Sequence, residues 1–167
     1  MPTRKKIMPR ISVIIPAFNE GVVIGNVIRQ IRAVVNKLDK GHEIIVIDDG
    51  SADNTAQSAR EAGAIVLQHP YNIGNGASVK TGIRHARGKI LVTIDGDGQH
   101  DPNDILKLVE RIGPYDMVVG SRNRESDTSA HRDIANMVFN SLATYISGRK
   151  IEDLTSGFRA VKTHIAR

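Results

Sequence analysis

The 167-residue chain contains no cysteine and no tryptophan, and aromatic residues make up only 4% of it. Without cysteine there is no disulfide framework, no thiolate metal site and no cysteine nucleophile, and a reducing cytoplasm is the compartment that fits. The scarcity of aromatic rings leaves little surface on which bases could stack, so nucleic acid is not expected as a partner. No apolar run approaches the roughly 20 residues needed to cross a bilayer. Residues 1–10 are basic, but the apolar core and cleavage site of a secretion signal do not follow them.

The composition is that of a packed domain: 40% hydrophobic and 25% charged residues, which excludes wholesale disorder. The length suits one α/β domain with one active site. We divide the chain into a flexible basic tail, residues 1–10, and a single domain, residues 11–167. Four charges of the tail (Arg4, Lys5, Lys6 and Arg10) weigh heavily in a net charge of +5. Such a tail is either a solvated terminus or a contact for anionic headgroups.

Strand and helix signals alternate along the domain. Ile11 to Ile15 reads as a buried β-branched strand that Pro16 ends. Val23, Val27, Ile31, Val34, Val35 and Leu38 recur at helical spacing before Gly41. Glu43 to Ile47 is the next strand, and Asp53 is placed to cap a helix from Thr55 to Glu61. A strand from Ala64 to Leu67, a helix from Asn75 to Arg87 and a buried strand from Lys89 to Ile94 follow. Asp101-Pro102 opens a helix that runs to about Arg111, and Tyr115 to Val119 is a further strand. Ile134, Met137, Val138, Ser141, Leu142, Tyr145 and Ile146 form one stripe of a helix from Ala130 to Ser147. This alternation predicts a mostly parallel, Rossmann-like sheet with helices on both faces.

Ligands of such sheets bind beyond the carboxyl ends of the strands. The residues there are Pro16-Ala17-Phe18-Asn19-Glu20, Asp48-Asp49-Gly50-Ser51, Asp95-Gly96-Asp97-Gly98-Gln99 and Gly120-Ser121-Arg122. If the chain stays extended after the strand, Asp95 and Asp97 turn to one side and can share a divalent cation, with oxygen ligands that suit Mg²⁺ or Mn²⁺. Three other readings compete. Strand-end aspartates often form turns and caps. A calcium loop would need glycine where His100 stands and glutamate where Leu106 stands, so it fails. A phosphatase whose nucleophilic aspartate ends a strand stays open. Asn72-Ile73-Gly74-Asn75-Gly76 lacks the third spaced glycine of a dinucleotide fingerprint, and Pro70 interrupts its approach, which excludes a Rossmann dehydrogenase.

Taken in chain order, the segments IPAFNE (15–20), EIIVIDDGSADNT (43–55), NIGNGASVKTGIRHARG (72–88), ILVTIDGDGQHDP (90–102), GSR (120–122) and DLTSGFRA (153–160) resemble family 2 glycosyltransferases of the GT-A fold. The likeness is to the dolichol-phosphate mannose synthase and polyprenyl-phosphate glycosyltransferase group. It implies a hexosyltransferase moving mannose or glucose from a GDP- or UDP-sugar to a polyprenyl or dolichyl phosphate, with inversion. By that resemblance Pro16, Ala17, Asn19, Glu20, Asp48, Asp49, Ser51 and Gly76 line the nucleotide sugar, with Asp49 addressing the base. Asp95 and Asp97, with Gly96 between them, hold Mg²⁺ or Mn²⁺ on the diphosphate, and Gln99 lies beside the sugar. Much of this group has alanine where this chain has Gly96, a difference expected to affect packing more than metal binding.

The acceptor side is implied by Asp153, a candidate base or orienting carboxylate that could equally cap a turn at Thr155 or Ser156. Arg122, Arg132 and Arg159 are candidates to pair with phosphate oxygens, Arg122 and Arg132 on the acceptor phosphate. A phosphate acceptor is already largely ionised at neutral pH, whereas a saccharide hydroxyl needs a base. With a lipid acceptor the chain would be cytoplasmic and peripheral on the cytoplasmic face of the membrane, its contact the helix from Ala130 to Ser147. Only eight residues follow Arg159, where members of this group continue, so the expectation is a chain truncated at its C-terminus. A module that binds nucleotide sugar without turnover, or a transferase using a saccharide hydroxyl, are the competing functions.

Overall fold

The structure, a computed structural model, describes residues 10–38, 41–120 and 156–167. The tail before Arg10, the helix expected from Ala130 to Ser147, and Ser121, Arg122, Arg132 and Asp153 lie outside the described residues.

Six strands form one sheet in the order β3-β2-β1-β4-β6-β5. They are β1 (Ile11–Ala17), β2 (His42–Asp48), β3 (Ile65–Gln68), β4 (Ile90–Thr93), β5 (Met117–Val119) and β6 (Arg159–Lys162). The helices are α1 (Ile24–Val35), α2 (Thr55–Glu61), α3 (Asn75–His85) and α4 (Asp104–Arg111), with a 3₁₀ turn at Asn36–Leu38 and a single helical turn at Thr163–Ala166. Strands β1 to β4 are mutually parallel, so the alternating pattern did specify the expected α/β architecture. Strand β6 runs antiparallel to both β4 and β5. It was not anticipated, because Arg159–Lys162 is too short and too polar to announce a strand.

Period-2 alternation builds a core on each face of the sheet. Val13 and Ile15 of β1, Ile44 and Val46 of β2 and Val92 of β4 join α1 and α4 residues such as Ile28, Ile31 and Ile105 in one cluster. Ile14, Ile45, Ile47 and Leu91 point the other way and pack with Ala86, beyond the end of α3. At Gly82, α3 lies so close to the sheet that an added methyl would overlap Ile14 and approach Ile47.

Several boundaries shift by a few residues from expectation, and two of the shifts have a local reason. Strand β1 continues through Pro16 to Ala17, where it pairs with Ile47 and Asp48. The Ile14 carbonyl accepts from Ile94 on the β4 side and the Ala17 carbonyl accepts from Asp49 on the β2 side. Position 16 therefore faces β4, beyond the last β1–β4 pair at Ile14 and Thr93, and the ladder asks nothing of the nitrogen that proline lacks. The helix expected to open at Asp101-Pro102 begins instead at Asp104, because Asp101 accepts from the Asn103 amide in a preceding turn.

The end of the sheet away from the strand tips is held by a buried carboxylate. Glu43 is 7% exposed and accepts from the Ser12 hydroxyl at 2.6 Å, the Arg87 amide at 2.6 Å and the Arg87 guanidinium at 2.8 and 3.0 Å. Burial acts to raise its pKa, but these donors outweigh burial and hold the carboxyl below its ordinary value. The Ser12 hydroxyl in turn accepts from the Gly88 amide at 2.8 Å, so β1, β2 and the turn into β4 are fastened at one point.

Candidate functional site

Strand order reverses at β1, with β2 on one side of it and β4 on the other, so the crevice beyond the tips of β1 and β4 is the topological switch point of the sheet. Three loops converge there: residues 18–23 after β1, 49–54 after β2 and 94–103 after β4.

The first two loops clamp each other. Asn19 adopts a left-handed backbone, φ 56°, which asparagine tolerates better than most residues. Its amide donates to Ser51 Oγ at 2.9 Å and its side-chain oxygen accepts from the Ala52 amide at 2.9 Å. The Glu20 amide donates to Thr55 Oγ1 at 2.8 Å and the Gly21 amide to Asp53 at 2.9 Å. Asp53 also accepts from the Thr55 hydroxyl and amide. These donations, the Thr55 hydroxyl first, lower its pKa. Asp53 thus orders the first turn of α2 as expected, though Asn54 is the residue in the capping position.

The paired aspartates at the tip of β2 are buried, 1% and 3% exposed. Asp48 accepts from the Ser51 amide at 3.1 Å and the Gln68 side chain at 3.0 Å. Asp49 accepts from His69 Nδ1 at 2.7 Å and from the amides of Ile73 at 3.1 Å and Gly74 at 2.7 Å. Burial pushes the Asp49 carboxyl up, but His69 and the two amides outweigh it and hold its pKa below the ordinary aspartate value. An ionised Asp49 can only accept, so Nδ1 of His69 carries the proton, while Nε2 lies 3.0 Å from the Thr81 hydroxyl. Asp49 therefore fixes the loop that leads into α3. Gly74 opens that helix at φ 105°, and a methyl at Gly74 or Gly76 would meet open space.

After β4 the chain turns at Gly96-Asp97, and Gly98 is left-handed at φ 77°. The segment is a turn, so the extended geometry assumed for the alternation of Asp95 and Asp97 does not apply. Asp95 is half-buried, with His100 Nε2 3.6 Å from its carboxylate. His100 packs on Phe158, ring centroids 5.1 Å apart. A methyl on Gly157 would lie 2.8 Å from both Asp95 oxygens, so any larger residue there would push this carboxylate from its place. Asp97 is exposed and accepts from the Gln99 amide at 3.0 Å. Gly96 is packed: an added methyl would stand 3.2 Å from the Pro16 carbonyl oxygen and from Ile24.

The pKa of Glu20, half-buried after β1, is raised by burial first, then by the charges of Asp97 and Asp53. The β1 and β4 loops thus bring carboxylates within electrostatic reach, with no described basic side chain paired to Glu20 or Asp97. Among the described residues no three acidic, histidine or cysteine groups form a complete metal cage. The donor set fits a cation of another kind, one held by one or two carboxylates and completed by phosphate oxygens and water, as Mg²⁺ commonly is.

Residues 12–167 match the model of glycosyl transferase family 2. The chain belongs to this family. Among curated family relatives, it is 36% identical to an uncharacterized protein of Methanocaldococcus jannaschii over 94% of its own length and 66% of that protein's. It is 32% identical to the undecaprenyl-phosphate 4-deoxy-4-formamido-L-arabinose transferase of Proteus mirabilis, over 99% of this chain and 52% of the relative. Glucosyl-3-phosphoglycerate synthase from Mycobacterium tuberculosis, solved with Mn²⁺, uridine diphosphate and phosphoglyceric acid, superimposes with a TM-score of 0.75 at 26% identity, covering 94% of this chain and 57% of that one. Mannosyl-3-phosphoglycerate synthase from Rubrobacter xylanophilus has the same TM-score at 20% identity over 94% and 54% of the two chains, a likeness of fold alone. The chain spans about half to two thirds of the length of these proteins. Together they establish the GT-A architecture expected from the family resemblance.

Within this family fold, the structure brings Asn19, Glu20, Asp48, Asp49, Ser51, Asp95, Gly96 and Asp97 to one end of the sheet, and makes Asn19, Asp48, Asp49 and Ser51 internal ties of the loops. Arg159 heads β6, in register with Thr93 and Val119, and its Nε donates to the Ser156 carbonyl at 2.7 Å. Sequence reasoning overlooked His100, Gly157, His69 and Thr55. The first two lay inside or beside quoted motifs, but only the fold sets them against Asp95.

Proposed function

We propose that the chain acts as an inverting, divalent-metal-dependent hexosyltransferase that moves mannose or glucose from a GDP- or UDP-sugar to polyprenyl or dolichyl phosphate. The observation that carries this reading is that the loops after β1 and β4 bring Glu20 within electrostatic reach of Asp97 at the switch point of the sheet. Burial is the first cause of the raised pKa of Glu20 and the charge of Asp97 the second, and a cation with a diphosphate relieves the part that comes from the neighbouring charge. In this reading Asp95 and Asp97 hold Mg²⁺ or Mn²⁺. The cation supplies neutralisation of the charge that builds on the departing diphosphate.

The rest of the work falls to the chain's own groups. Pro16, Ala17, Gly76 and the loops ordered by Asn19, Asp48, Asp49 and Ser51 line the nucleotide. Gly157 leaves the space that Asp95 occupies, and His100 stands beside its carboxylate. Gln99 lies at the sugar, and Arg159 at the carboxyl end of β4 supplies forked donors for phosphate oxygens. Arg122 and Arg132 are proposed for the acceptor phosphate. Asp153 is proposed to orient the acceptor. A polyprenyl phosphate is nucleophilic without a base, and the undecaprenyl-phosphate transferase of Proteus mirabilis supports such an acceptor. Its membrane-surface setting is part of the proposal; among the described residues no helix is long and apolar enough to cross a membrane.

A saccharide or other hydroxyl acceptor is the second reading, favoured by the phosphoglyceric acid that accompanies Mn²⁺ and uridine diphosphate in the mycobacterial structure. The test is a panel of UDP- and GDP-sugars with Mn²⁺, offered polyprenyl phosphate or 3-phosphoglycerate, with product and released nucleotide followed separately. Labelled lipid product supports the proposal. Product from phosphoglycerate alone selects the hydroxyl reading. Nucleotide-sugar binding without transfer to either would mean a binding module and sink both.

A further inference from the structure

The opposite end of the sheet carries a second concavity. Arg10, Arg87, Lys89, Ile90, Ile112, Gly113, Lys162 and His164 line a cavity of about 700 Å³. It lies at the amino ends of β1 and β4. Seven extended residues of β1 separate it from the nucleotide crevice, about 20 Å.

The antiparallel strand creates this cavity. Because β6 runs against β4, its last residues arrive where β1 and β4 begin, with Lys162 in register with Ile90 and Ile90 with Ile11. The Arg10 carbonyl accepts from the Lys89 and Ile90 amides at 2.9 and 3.0 Å, and the Lys89 carbonyl from the Thr163 amide at 3.0 Å. The Thr163 hydroxyl also donates to the Gly88 carbonyl at 2.6 Å. Backbone therefore holds Arg10, Lys89 and the 162–164 segment side by side, and the cluster does not depend on flexible side chains finding one another.

The charges do not cancel. Arg87 is paired with Glu43 at 2.8 Å and Lys162 with Asp116 at 3.1 Å, but no described carboxylate pairs with Arg10 or Lys89. Cations do gather at helix C-termini, and two helices end nearby. The end of α3 is already served from outside the cavity, where Arg167 donates to the Ala86 carbonyl at 2.6 Å. The half-charge at the end of α4 is smaller than the excess.

We propose that this cavity is a binding site for a multiply charged phosphate ligand, separate from the nucleotide-sugar site. Arg10 and Lys89 would take the phosphate oxygens with Lys162 and His164 beside them, and the Ile90 and Ile112 wall leaves room for an apolar portion. A soluble phosphorylated molecule fits better than a lipid headgroup, because the cavity opens at the pole opposite the crevice where an acceptor must meet the donor sugar.

The experiment uses the whole 167-residue chain with inorganic tripolyphosphate in EDTA, so that no metal recruits the probe to the carboxylate end. Calorimetric titration should show saturable binding that weakens as salt is raised. Arg10→Glu/Lys89→Glu should weaken it by about tenfold or more, Arg10→Gln/Lys89→Gln by less, and Asp97→Asn or saturating UDP should leave it unchanged. Binding lost in Asp97→Asn, competed by UDP or indifferent to the charge reversals would overturn the proposal. So would the absence of saturable binding. Sedimentation with anionic phosphatidylglycerol vesicles forms the last arm: vesicle binding that the reversals abolish, without binding of soluble tripolyphosphate, would assign the surface to lipid and reject the soluble ligand.

Discussion

The two ends of this one sheet are opposite in charge and use their charges differently. At the carboxyl end Asp48, Asp49 and Asp53 are consumed by backbone amides and neighbouring side chains, and so order the loops, while Glu20 feels the charge of Asp97 and neither is paired with a described basic side chain. At the amino end a single buried carboxylate, Glu43, gathers a hydroxyl, an amide and a guanidinium, and the remaining basic residues line a cavity. A charge surrounded by donors builds structure, whereas one left with a like neighbour is available to a ligand and destabilises the fold slightly until the ligand arrives.

The sharpest way to break this comparison is Asp97→Asn. Transfer measured with Mn²⁺ and nucleotide sugar should fall about a hundredfold or more, while the melting temperature holds or rises because Glu20 loses a repulsive neighbour. Full activity would remove Asp97 from the metal site, and a large drop in melting temperature would make it a structural residue like Asp49.

Glu43→Gln should do the reverse, with a loss of about 2 kcal/mol of stability in denaturant titration and little effect on the affinity for nucleotide sugar. The pH dependence follows from the sign of the shift. The folded-state pKa of Glu43 lies below its ordinary value near 4.5, so its stabilisation is present above that value and is lost as pH falls through the depressed one. The variant should lack this part of the acid transition.

A smaller effect is expected at Gly157, where a methyl would crowd both oxygens of Asp95. Gly157→Ala should weaken Mn²⁺ binding in the presence of UDP by about tenfold, read by paramagnetic resonance of free Mn²⁺. Unchanged affinity would separate Asp95 from the cation.

The smallest is Glu20→Gln. The pKa of Glu20 is raised, so its folded-state stability is full below the ordinary value and declines as pH rises through the raised one. The variant should therefore be more stable than the parent at neutral pH by about 0.5 kcal/mol, with the advantage vanishing in acid. Mn²⁺ with UDP should narrow the gap at neutral pH, since a bound cation offsets the repulsion in the parent chain.

Sequence by itself determined the parallel core and the family. Buried runs such as Ile11–Ile15 and Lys89–Ile94, separated by helical periodicity, leave few alternatives to an α/β sheet, and motif order placed the acidic residues at strand tips. It could not tell which aspartates are free to meet a ligand. Asp49 and Asp97 stand in equally acidic, glycine-bearing turns, and only the fold sets His69 and two amides against one and Glu20 near the other. Nor did it announce β6, whose four residues carry no strong strand pattern. Its antiparallel pairing is a long-range event that sets Gly157 behind Asp95 at one end of the sheet and Lys162 beside Lys89 at the other. Local propensity and periodicity report on neighbours in the chain, and both ends of this molecule are made by residues that are neighbours only across strands.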